Sequence, residues 1–118
     1  MAKLIKYVDS PRQVATITAG ATLEKDDIMA MGLNASPVVI QGNVVTGETT
    51  GVHVNYQAVV PKTAGTAWAA LDSVQWDDTA KTFKKWTAGA RHGYAVRDAA
   101  SADVEGEVVV LWNTSIVV

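Results

Sequence analysis

Short runs of alternating apolar and polar residues cover most of this chain, each closed by Gly, Pro, Asn, Asp or Thr. Period-two alternation puts every second side chain on one face of an extended strand, so the pattern predicts strands. Val14, Thr16 and Thr18 alternate with Ala15, Ile17 and Ala19. Ile28-Met29-Ala30-Met31 stops at Gly32, Val38-Val39-Ile40 stops at Gln41-Gly42-Asn43, and Val44-Val45 stops at Thr46-Gly47. Val52, Val54 and Tyr56 alternate with His53, Asn55 and Gln57 and lead into Ala58-Val59-Val60 before Pro61. Val74 and Trp76, then Phe83, flank Asp77-Asp78-Thr79-Ala80-Lys81, which reads as a hairpin with a polar loop. Gly93-Tyr94-Ala95-Val96 and the run from Val104 to Trp112 complete the set. Turn signals recur every eight to twelve residues or so, the rhythm of a sandwich or barrel.

Two segments break the rhythm. Thr63 to Leu71 is rich in Ala and predicts one short helical turn, weakened by Gly65, since Gly inside a helix costs about 1 kcal/mol relative to Ala. Residues 1–12 carry Leu4, Ile5, Tyr7 and Val8 between Lys3, Lys6 and Asp9 and end at Pro11. They read either as an edge strand or as an arm that orders on a partner. The expectation is an all-β fold: a compact small β-barrel or sandwich-like domain over 13–118, with one short helical turn and an extended N-terminal arm over 1–12.

Composition narrows the function. The 118 residues make one ordinary domain. Hydrophobic residues are 48% and charged residues 19%, against about 25% charged in an average protein, so a real core can form. The net charge is −2, and the densest basic cluster, Lys81, Lys84 and Lys85, is flanked by Asp77 and Asp78. Nucleic-acid binding needs clustered positive charge, so this reads as a solvated hairpin and predicts no nucleic-acid partner. With no Cys, disulfides, zinc thiolates and thiol nucleophiles are excluded. Lys6 and Asp9 interrupt any signal-peptide core, and nothing approaches the ~18 apolar residues of a membrane span, which predicts synthesis in a cytoplasm and no membrane partner.

Candidate chemistry is sparse. His53 lies on the polar face of its strand, and His92 sits beside Arg91, whose like charge suits a metal ligand poorly. The glycine spacing of Gly42 to Gly47 is that of a phosphate loop, but Glu48 stands where the loop needs Lys. Glu24, Asp26 and Asp27 lack EF-hand spacing, and Asp77-Asp78 sits at a hairpin tip without the burial that tunes a catalytic acid. No Ser lies in a Gly-x-Ser-x-Gly elbow. No catalytic residue, cofactor or metal is expected. Core packing accounts for most of Trp68, Trp76, Trp86 and Trp112, and Trp86, at a strand end, is the expected surface anchor.

Several pieces in order resemble one family. Val14-Ala15-Thr16-Ile17-Thr18-Ala19, Lys25-Asp26-Asp27-Ile28-Met29-Ala30-Met31-Gly32 and Val59-Val60-Pro61-Lys62-Thr63-Ala64-Gly65-Thr66-Ala67 are similar to the opening strand, second segment and strand–proline–lysine turn of the phage head-decoration, or capsid cement, proteins. Asp72-Ser73-Val74-Gln75-Trp76-Asp77 resembles the family's aspartate–valine–aromatic hairpin, and Gly93 to Val96, Ala99 to Ala102 and Val104 to Trp112 its closing pair. Leu71 stands where the family carries glycine before that aspartate. The resemblance implies a non-enzymatic virion protein that oligomerises, commonly as a homotrimer, and binds the outside of a tailed-phage capsid, stabilising contacts between major capsid proteins. Leu4, Ile5, Tyr7, Val8 and Trp86 are then the capsid-binding candidates, and Ile116, Val117 and Val118 the oligomer contacts. A tail or surface-binding adhesin module is the alternative with the same size and the same lack of chemistry.

Overall fold

The computed structural model describes residues 2–32 and 34–112, without the side chains of 9–14. Its elements are β1 (Lys6–Thr18), β2 (Ile28–Met31), β3 (Ser36–Ile40), β4 (Thr49–Pro61), β5 (Ser73–Asp77), β6 (Thr82–Lys85), β7 (Gly93–Ala95) and β8 (Glu105–Val110). They form one curled sheet, a half-barrel, in the order β2-β3-β4-β8-β7-β5-β6, with β1 also paired to β4. All of the strand-to-strand ladders are antiparallel.

The long strand β4 organises the sheet. One of its edges carries β1. The other carries β3 at Val52 and His53, then β8 from Tyr56 to Pro61. Val52, Tyr56, Ala58 and Val60 are buried along it, the expected alternation. Two hydrophobic clusters result. The larger holds Tyr56, Trp68, Val74, Trp76, Phe83 and Val108 among others; the smaller is aliphatic, with Leu23, Val38, Ile40 and Val52. β3 is buried at all five positions because Val39 points into the larger cluster while Val38 and Ile40 point into the smaller.

Residues 63–71 do not form the expected helical turn, and no helix occurs among the described residues. Trp68 instead bridges Ala99, its N–H donating to the Ala99 carbonyl at 3.1 Å and its carbonyl accepting from the Ala99 N–H at 2.9 Å. Gly65 and Leu71 take left-handed backbone angles (φ 105 and 73°), which a right-handed helix cannot include. Burying the indole overrides the weak preference of the alanines. The β5–β6 hairpin forms as expected. The Asp77 carboxylate accepts the N–H groups of Ala80 and Thr79 at 3.0 Å each, which holds its pKa below the ordinary range.

The N-terminal segment is an edge strand here. The Leu4 N–H donates to the Asp26 carbonyl and the Ile28 N–H to the Ala2 carbonyl, both at 2.9 Å. The strand then runs along β4 and crosses residue 12, the expected limit of the arm, without ending. Its ladder is irregular there: Asp9 pairs with Gln57 and Gln13 with Asn55, so Ser10, Pro11 and Arg12 bulge opposite one residue of β4. Proline has no N–H for a ladder, and a bulge on an edge strand is where it is tolerated.

Candidate interaction surfaces

Along residues 2–8 the side chains divide between core and solvent. Leu4 is 6% exposed and packs in the larger cluster, so its side chain anchors the segment to the core. Ile5 and Val8 are exposed. Tyr7 is half-buried; its hydroxyl lies 2.6 Å from Nδ1 of His53 and its ring meets that imidazole edge-on. Burial raises the Tyr7 pKa and lowers that of His53, so a protonated phenol donates to a neutral ring. Lys3 reaches the buried Asp27 carboxylate at 2.9 Å, a bond that raises the lysine pKa. Among the described strands β1 pairs only with β4, so its other edge carries no ladder.

Trp86, the expected surface anchor, is half-buried. Its Nε1 donates to the Gly89 carbonyl at 3.0 Å, and the Arg91 guanidinium lies 4.0 Å from its ring centroid. The most exposed tryptophan is Trp112, at 36%. Its N–H donates to Asn55 Oδ1 at 2.6 Å, and its ring lies so close to Gly32 that a Cβ there would come within 2.7 Å of it. Trp112 forms one wall of an open apolar groove of ≈ 380 Å³ with Ile17, Met31, Val38, Val52 and Val54. Sequence reasoning absorbed Trp112 into the closing strand; only its position two residues beyond β8 sets it apart. Ile116, Val117 and Val118 lie outside the described residues.

The histidines serve structure. His92 is buried, its Nδ1 accepting the Trp76 backbone N–H and its Nε2 facing the Asn34 carbonyl, both at 2.8 Å. An N–H donated to Nδ1 requires that nitrogen to be bare, so the proton sits on Nε2 and the ring is neutral. Burial lowers its pKa, opposed by the bond to Asn34. This ring joins the turn after β2 to β5. Among the described residues no three His, Cys, Asp or Glu side chains converge on a metal-sized site.

What the geometry offers is therefore a stiff β body with an open edge, two exposed aliphatic side chains beside it and an apolar groove. A comparison with curated proteins finds no match. The comparison with protein families does: residues 9–111 match the model for the phage cement proteins, and the chain belongs to that family of structural capsid proteins.

Proposed function

We propose that this cement protein binds the outer surface of a tailed-phage capsid and stabilises contacts between neighbouring major capsid proteins, after synthesis in the host cytoplasm. The observation that carries this reading is the free edge of β1. A capsid segment can add to it as a strand, main-chain hydrogen bonds supplying affinity and alternate side chains specificity. Ile5 and Val8 are the contacting side chains, Leu4 and Tyr7 hold the segment in place, and Trp86 is a second contact. The function requires rigidity and surface, and no reaction.

The subunit acts as a homotrimer in this reading, with Ile116, Val117 and Val118 of one copy in the apolar groove of the next. Along the same edge of β4, β8 pairs from Tyr56 to Pro61 and β3 at Val52 and His53. The six residues after Trp112 span up to about 20 Å when extended, enough to reach a neighbour. Many such contacts on one lattice add through multivalency.

The test is cosedimentation with undecorated capsids, followed by image reconstruction. Regular density on the lattice supports the reading; binding to host cell surfaces with no capsid binding favours an adhesin. Ile5→Glu with Val8→Glu should weaken capsid binding at least about tenfold, a loss of about 1.4 kcal/mol, with an unchanged circular dichroism spectrum. Deleting residues 115–118 should leave a folded monomer in sedimentation velocity. An intact trimer would remove those residues from the interface.

A further inference from the structure

A cleft of ≈ 260 Å³ opens beside the end of β4, lined by Lys62, Thr66, Trp68, Lys84, Lys85 and Trp86 together with Thr63 and Thr87. No acidic residue lines it. Three lysines border this largely apolar concavity, on a chain whose net charge is −2. Lys62 is its unusual member. It follows Pro61 at the strand end and is only 2% exposed, among the most deeply buried side chains of the molecule. Its Nζ donates to the carbonyls of Thr63 at 2.9 Å and Asp103 at 3.3 Å and lies 5.5 Å from the Trp68 ring centroid. No carboxylate among the described residues forms an ion pair with it. A buried cation is normally paired, because carbonyl dipoles and a ring face offset only part of its lost hydration.

A second observation points the same way. The indole Nε1 of Trp68, on a residue 3% exposed, is buried without a hydrogen-bond partner. Buried donors are almost always satisfied, so this N–H calls for a partner from outside the chain, an ordered water or a bound group. Lys84 forms no close ion pair among the described residues, although its charge helps to lower the Asp77 pKa, whereas Lys85 is 3.5 Å from Asp72. The residues around the cleft thus include a buried ammonium held by carbonyls and no carboxylate, a surface lysine, an indole N–H without a partner, threonines and a second indole. At ≈ 260 Å³ it falls below the roughly 300–1,000 Å³ of sites for drug-sized ligands, but suits one side chain.

We propose that this cleft receives an acidic side chain of a partner polypeptide, its carboxylate neutralising Lys62 and Lys84 and its methylene stem lying against Trp68 and Trp86. The site itself stands on these residues; only the identity of the partner, a capsid segment, rests on the function proposed above.

The experiment is a titration of the full chain with acetyl-triglutamate amide, read by the Trp68 indole N–H resonance and by tryptophan fluorescence. Acetyl-triglutamine amide and inorganic phosphate serve as the other arms. The triglutamate should move the Trp68 resonance saturably, and triglutamine should not. Lys62→Met keeps the stem but takes the donor from the Thr63 and Asp103 carbonyls, at a cost in stability; Lys84→Gln changes only a side chain on the cleft's rim and carries the test if the first variant does not fold. Each should weaken triglutamate binding about tenfold. An unmoved resonance, equal binding by both variants, or phosphate binding as tightly as triglutamate would each overturn the proposal. Wild-type protein that binds triglutamate but not capsids keeps the site and sinks the capsid reading. Lys84→Gln that loses triglutamate but holds capsids at full affinity separates the cleft from the shell.

Discussion

The two hydrophobic clusters are built differently. The larger is sealed by aromatic side chains: Trp76 and Phe83 meet edge-to-face with centroids 5.1 Å apart, and the buried Tyr56 hydroxyl donates to the Pro37 carbonyl at 2.6 Å. The smaller is aliphatic, with Ile17, Met31 and Val54 half-covered around the open groove. Aromatic pairs with fixed geometry give stiffness, while aliphatic and methionine surfaces adapt to what covers them. One half of the molecule is closed by aromatic packing and the other leaves an aliphatic groove open.

Phe83→Ala in the sealed half should cost about 4 kcal/mol in urea unfolding, whereas Ile17→Ala at the groove should cost under about 1 kcal/mol. Equal costs would erase the contrast. Gly93→Ala should cost about 3 kcal/mol, because its Cβ would overlap the Val109 carbonyl oxygen and backbone must move. The joint between the halves, His92, titrates. Its folded pKa is lowered, so the unfolded chain takes up the proton first as pH falls. Its stabilising contribution is complete above the ordinary imidazole value of about 6.5 and is lost below it, by at most about 1.4 kcal/mol per pH unit until the folded ring protonates. Urea midpoints should therefore fall between about pH 6.5 and 5.5; a His92→Gln variant should show a flatter profile. The smallest effect is a gain. Leu71 is 77% exposed at φ 73°, so its side chain contributes little packing while its backbone is strained. Leu71→Gly should raise stability by about 1 kcal/mol in thermal melts, and a loss would show that Leu71 makes a contact worth more than its strain.

The strands were legible because alternation is a local signal, and β2, β3, β4 and the β5–β6 hairpin appear where Ile28, Val38, Val52 and Asp77 placed them. The misread stretch, 63–71, depended on a partner distant in sequence: Trp68 is held by Ala99, and nothing near Trp68 announces that bridge. The resemblance located the strained turn, since the position of Leu71 is where the family's glycine would relieve a left-handed angle. The surfaces were less legible. Leu4 and Ile5 are equally apolar in sequence, and only the pairing of Ala2 to Leu4 with Asp26 to Ile28 turns one inward and leaves the other out. Lys62 has the composition of a surface residue; its burial comes from the closure of β4 onto β6 and from Asp103.

The bulge at Ser10-Pro11-Arg12 has a bearing on how free copies behave. An uninterrupted open edge as long as β1 would let identical molecules zip together side by side into filaments. The kink divides that edge into two short stretches with a proline between them. Two molecules of the same shape are poorly matched to such a broken template. The break therefore disfavours edge-to-edge pairing between identical copies.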